Sequence, residues 1–188
     1  MKKLFFSALI AASLTLTAQA AKYMVDIPGM HASINFKVNH LGYSWLLGRF
    51  DKFDGLFIVD DKNFKNSTVE ITIDTNSVNS NHAERDKHLR SPDFLNTKKF
   101  PEAKFVSKKI EGDMNDFKII GDFTFNGVTK ELVIDAKHIG GGKDPWGGFR
   151  QGFEGTTSFK MADYNVKKSL GPKSEEVFLT LHVEGIKR

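Results

Sequence analysis

No cysteine occurs anywhere in the 188-residue chain. Thiolate nucleophiles, thiolate-held metals and disulfides are therefore excluded, and the fold must stand on its packed core alone. Charge of one sign is also scarce: 27 Lys and Arg face 23 Asp and Glu, a formal +4 at pH 7, and two of the positive charges, Lys2 and Lys3, sit at the extreme N-terminus. So small and dispersed a surplus is no footprint for nucleic acid. The usual catalytic signatures are missing as well. There is no G-x-S-x-G nucleophile elbow, and Gly140-Gly141-Gly142-Lys143 lacks the spacing of a phosphate loop and runs into Asp144-Pro145-Trp146 instead of a helix. After the first twenty residues no apolar run is long enough to cross a bilayer.

What is present begins with a leader. Lys2 and Lys3 precede an uncharged run from Leu4 to Thr17, and Ala18-Gln19-Ala20 supplies small residues flanking a cleavage point. That order is the pattern of a secretory signal peptide cut after Ala20, leaving residues 21–188 as one domain. The run is interrupted by Ser and Thr and is shorter than a membrane span, which argues against an uncleaved anchor.

From Ala32 onward the dominant hydrophobic period is two, the period of a half-buried strand. Ile34, Phe36 and Val38 share one face; Val69, Ile71 and Ile73 share another; Val177, Leu179, Leu181 and Val183 a third. Phe117, Ile119, Phe123 and Phe125 lead into Asn126-Gly127, a dipeptide suited to a tight type I′ hairpin. A returning strand carries Leu132, Ile134 and Ala136. Further strands are expected at Gly48 to Val59, Ala103 to Lys109 and Phe149 to Met161, with turns at Lys62-Asn63 and Gly112-Asp113, giving about eight. Eight alternating antiparallel strands fit either a sandwich or a closed barrel, and the seventeen phenylalanines, Phe5 and Phe6 of them in the leader, suit either a solid core or a cavity lining.

One segment breaks this rhythm. Asn81 to Arg90 is charged and free of Gly, Pro and β-branched residues, so it reads as a short helix capped by Asn81 with Glu84 in the capping-box position; Ser91-Pro92 offers a second cap. Glu84, His88 and His82 fall close together on such a helix, but without an H-e-x-x-H motif they read as a solvated face, with Glu84–His88 and Asp86–Arg90 as surface pairs. No metal and no cofactor are expected. Tyr43, Trp45, Trp146 and Arg150 each join an apolar body to a polar tip, as do residues at the mouth of an apolar cavity or on a lip that touches a membrane surface.

Five stretches carry a resemblance to a known family: HLGYSWLLGRFDKFDG (His40 to Gly55), NHAERDKHLRSPDFLNTKKFPEAKF (Asn81 to Phe105), GDFTFNGVTK (Gly121 to Lys130), GGKDPWGG (Gly141 to Gly148) and SLGP (Ser169 to Pro172). Through them the chain resembles the YceI-like family of bacterial periplasmic polyisoprenoid-binding proteins. The resemblance implies a periplasmic, all-β protein: an eight-stranded antiparallel lipocalin-like barrel with a short helical insertion, holding the tail of an isoprenoid lipid, a polyprenyl phosphate or an isoprenoid quinone. The dry-face residues Ile34, Phe36, Val38, Val69, Ile71, Ile73, Phe123, Phe125, Leu132, Ile134, Phe153, Phe159, Leu179 and Leu181 are then the natural lining. For a head group, His31, His40, Arg85, Asp86, His88 and Arg90 are candidates by chemistry alone. The expected role is binding, transport or storage without catalysis. The competing roles are an enzyme acting on such a lipid and a stress-induced protein with a solid core and no cargo. The oligomeric state stays open, a homodimer among the options.

Overall fold

The computed structural model describes residues 20–168 and 170–188. The leader expected over Met1–Ala20 therefore lies, except for Ala20, outside the described residues. Among the described residues the strands are β1 (Ala21–Val25), β2 (Ser33–His40), β3 (Ser44–Phe50), β4 (Phe53–Val59), β5 (Thr68–Asp74), β6 (Val78–Asn79), β7 (Glu102–Asp113), β8 (Asp116–Phe125), β9 (Val128–Lys143), β10 (Phe149–Lys160) and β11 (Glu176–Lys187). Among the described residues a single α-helix, α1 (Ala83–Leu89), follows β6. No helix among the described residues is long and apolar enough to cross a membrane.

These eleven strands build eight staves of a closed antiparallel barrel, because the first three staves are each broken in two. The first is β1 with β2, the second β3 with β4, the third β5 with β6. In the lower half β1 pairs with β4 (Tyr23↔Phe57), and in the upper half β2 pairs with β3 (Phe36↔Gly48). From β7 to β11 every strand pairs with its neighbour in sequence. The last strand closes the ring by pairing with both halves of the first stave: Leu181↔Ile34 above and Gly185↔Val25 below.

The expected segment Gly48 to Val59 is thus two strands, interrupted at Asp51-Lys52, and the short pieces β1 and β6 carry too little alternation to be read from sequence. The turn expected at Gly112-Asp113 falls instead at Met114-Asn115, since Gly112 stays inside β7 with a left-handed φ of 107°. The Asn126-Gly127 hairpin forms as expected, with φ of 47° and 77°. Around Lys62-Asn63 the Asp60 carboxylate accepts hydrogen bonds from the Lys62 and Asn63 amides at 2.9 and 3.0 Å and sets the turn.

The helix arrives slightly late. Asn81 adopts φ 61° and cannot serve as an N-cap, which requires extended backbone. His82 takes the position: its Nδ1 accepts from the Arg85 amide at 3.2 Å. Ser91-Pro92 starts only a turn, closed by the Phe94 amide on the Ser91 carbonyl.

Candidate functional site

Two apolar cavities lie one above the other inside the barrel. The lower, of about 100 Å³, is walled by Phe57, Val69, Ile71, Phe105, Phe117, Ile134, Phe153 and Leu181, among others. The upper, of about 90 Å³, is walled by Ile34, Phe36, Val38, Ile73, Phe123, Phe125, Phe159 and Leu179, and roofed by Leu89, Phe94 and Leu95 from the helical insertion. Spaces this size lined by aliphatic and aromatic groups offer a water molecule no hydrogen-bond partner, so they favour hydrocarbon.

The alternation that builds each strand also divides the cavities. Along β5 the successive inward residues Ile71 and Ile73 face the lower and upper cavity, and the same step occurs at Leu181 and Leu179 on β11. Between the two levels lies a waist. Leu132 is buried there, 7% exposed, without lining either cavity. Phe105 spreads its ring over Gly121, on the strand beside it. Thirteen of the fourteen residues expected to line the interior border one cavity or the other; Leu132 forms the constriction between them.

Rings dominate the walls because edge-on packing fills a tapered space with few atoms. In the upper half Phe123, Phe125, Phe159 and Tyr164 are mutually in contact with centroids 5.1 to 5.9 Å apart. In the lower half Phe153 meets Phe57 at 5.4 Å and Phe117 at 6.0 Å. Beneath them the interior turns polar: His138 Nε2 lies 2.6 Å from Gln151 Oε1, and Tyr23 is bonded to Gln151 with its phenol pKa pushed up by burial. None of these three stands out in the sequence, because Tyr23 belongs to an unrecognised strand and the bulge between Gly152 and Phe153 shifts the alternation along β10.

The six head-group candidates are not brought together, and none lines either cavity. Three tie the insertion to the segment around β6, and a fourth, His88, braces the insertion internally. Asp86, 8% exposed, accepts from the Ser80 amide at 2.8 Å and from its hydroxyl; Arg85 donates to Ser80 Oγ and to the Ser80 carbonyl at 2.8 and 2.6 Å. Arg90 donates to the carbonyls of Val78 and Asn76, and His88 sits 3.3 Å from Asp93 with its ring edge-on to Phe94. The expected Asp86–Arg90 surface pair does not form, because the Asp86 carboxylate turns inward to satisfy Ser80. His40 is exposed at the β2–β3 turn.

His31 joins a charged cluster on the barrel wall where the first stave is broken. Arg150 Nη1 donates to Asp26 Oδ2 and Glu184 Oε1, each at 2.6 Å, and Nε to Asp144 Oδ2 at 2.9 Å. Burial pushes the Asp26 carboxyl up, but hydrogen bonds from His31, Arg150 and the Gly29 amide outweigh it and hold the pKa at about 2. Asp26, His31 and Glu184 place ligand atoms within 4.8 Å of one another, yet the Arg150 guanidinium bridges the two carboxylates and would repel a cation. The cluster is a clasp across the seam.

A closed antiparallel barrel of eight staves with an apolar interior and a partly helical roof is a lipocalin-like barrel. Within that class the chain belongs to the YceI-like family, whose domain matches residues 23–185. It is 55% identical over its full length to a UPF0312 protein of Shewanella sp. (strain ANA-3), which it also covers completely. It is 54% identical to Protein YceI of Escherichia coli O17:K52:H18, over 92% of this chain and 90% of that one. Among solved structures, BcnA of Burkholderia cenocepacia superposes with a TM-score of 0.74 at 21% identity, covering 85% of this chain and 98% of that one. A polyisoprenoid binding domain from Saccharophagus degradans superposes with a TM-score of 0.62 at 16% identity, covering 88% and 98%.

Proposed function

We propose that this protein is a periplasmic carrier or store for an isoprenoid lipid, a polyprenyl phosphate or an isoprenoid quinone, whose tail lies along the barrel axis. The observation that carries this reading is the pair of predominantly apolar cavities inside one barrel, with Leu132 buried at the level between them. A branched hydrocarbon chain is the ligand shape that a narrow, jointed, dry tube suits. The name of the Saccharophagus degradans neighbour supports the same ligand class. The leader expected at the N-terminus and membership of the YceI-like family support the compartment.

The energetics favour a tail over a head group. At about 0.8 kcal/mol per buried methylene, one five-carbon unit gains roughly 3 to 4 kcal/mol gross, so a few units offset the roughly 4 to 15 kcal/mol lost on association. Native mass spectrometry and lipid extraction of protein purified from its own periplasm test the proposal. A stoichiometric prenyl lipid is the expected finding; protein that is repeatedly empty and takes up no added prenyl lipid overturns it.

A further inference from the structure

Ten large apolar side chains stand 38% or more exposed among the described residues, and four of them fall within seven residues of one another. Leu41, Tyr43, Trp45 and Leu47 are 46%, 87%, 49% and 65% exposed, at the tip of the β2–β3 hairpin and down the outer face of β3. This is the rim of the upper cavity, since Phe36 and Val38 of the same hairpin line it.

The backbone at the tip is unusual. Leu41 and Gly42 have φ of 55° and 85°, the left-handed pair that Asn126 and Gly127 make at another turn of the same barrel. Asn and Gly tolerate that conformation; a leucine is strained in it and gains little from packing when nearly half exposed. An apolar group is thus held outward at a position where the fold alone favours Asn.

The surroundings are basic. From Ser33 to Arg49 the chain has no acidic residue, and from Asn165 to Lys173 it has three lysines and no acid. That second stretch abuts the hairpin: a Cβ on Gly42 would lie 2.6 Å from Lys173 Cδ, and the Leu41 amide donates to Ser174 Oγ at 3.1 Å. The Lys37 ammonium sits 4.7 Å from the centre of the Trp45 ring. Among the described residues, Lys37, Lys167, Lys168 and Lys173 form no salt bridge. Aromatic and leucine side chains flanked by lysines that form no salt bridge fit the interface of an anionic bilayer, where the rings enter the headgroup region and the ammonium groups meet lipid phosphate.

We propose that the β2–β3 tip, Leu41 to Leu47, with Lys37 and Lys173 beside it, is a docking surface for an anionic membrane and sets the roof of the upper cavity against the bilayer. This goes beyond the carrier reading and is tested without its cargo. The full chain is mixed with vesicles of phosphatidylethanolamine and phosphatidylglycerol that contain no isoprenoid, and the bound fraction is read by flotation. Partition about tenfold or more above that for phosphatidylcholine vesicles is expected at low salt, falling as salt rises. Y43S and the pair K37Q/K173Q should each weaken it severalfold, whereas W146S, an exposed indole at the opposite end of the barrel, should leave it unchanged. L41N separates docking from folding, because it should raise the melting temperature while lowering partition. The proposal is overturned by equal binding of wild type and Y43S, by loss of binding in W146S, or by self-association through the hairpin without vesicle binding, which would assign the surface to a second copy of the chain.

Discussion

Gly121 has no side chain because Phe105 occupies its place. A Cβ there would come within 2.6 Å of Phe105 Cζ and closer still to the Val106 carbonyl oxygen, which belongs to a strand and cannot yield. Gly121→Ala should therefore cost about 1 to 3 kcal/mol, the range for overpacking a filled interior, measured by chemical denaturation. The sequence hid this: an inward glycine interrupts the alternation of β8 and looks like a weak spot until the ring across from it is seen. Asp26 is a second case, since nothing in the spacing of residues 26, 144, 150 and 184 announces a shared clasp. Its pKa is about 2 in the folded protein against an ordinary 3.8, so the native state prefers the ionised form. The stability this contributes is fully present above pH 3.8 and is lost as pH falls through about 2. A melting-temperature series from pH 5 downward should show that decline, and Asp26→Asn should flatten it while lowering the plateau.

At the scale of elements, α1 has only seven residues, too few to persist alone in water. What keeps it is the Ser80–Asp86–Arg85 network at its start and the apolar contact of Leu89, Phe94 and Leu95 with the upper cavity. Asn126 adds a clip, its side-chain amide donating to the carbonyls of Tyr164 and Phe94 at 3.0 and 3.5 Å. Asp86→Ala strands the buried Ser80 donors and should cost about 1 to 3 kcal/mol. Hydrogen exchange should quicken across residues 80–90 and stay slow in β7 to β11; uniform quickening would show instead that the roof is not a separate unit. Composition sufficed to place this helix within two residues at its start. The inward turn of Asp86 was beyond it, because a carboxylate at that position satisfies a surface pair and a buried serine equally well on paper.

For the molecule as a whole, a period of two repeated eight times left sandwich and barrel both open; resemblance to the YceI-like family favoured the barrel, and the pairing of β11 with β1 and β2 realises it. Which inward residues would form walls and which a waist was not legible, because both have the same alternation and differ only in height along the axis. The waist yields a prediction about cargo. Leu132→Trp should fill the constriction and bar a tail from passing between the cavities, so native mass spectrometry should find shorter prenyl chains retained, or a lower occupancy. An unchanged distribution of tail lengths would mean that the tail does not thread both chambers.

The ring is closed by β11, which comes after every other strand among the described residues. β11 pairs with β2 and β1, strands about 140 to 160 positions earlier, and until it arrives the first stave and β10 each present a bare edge beside an exposed greasy interior. A nascent chain stopped anywhere short of that strand is therefore no smaller barrel but an open, sticky sheet. The apolar interior is thus hidden only once β11 is in place between β10 and the first stave.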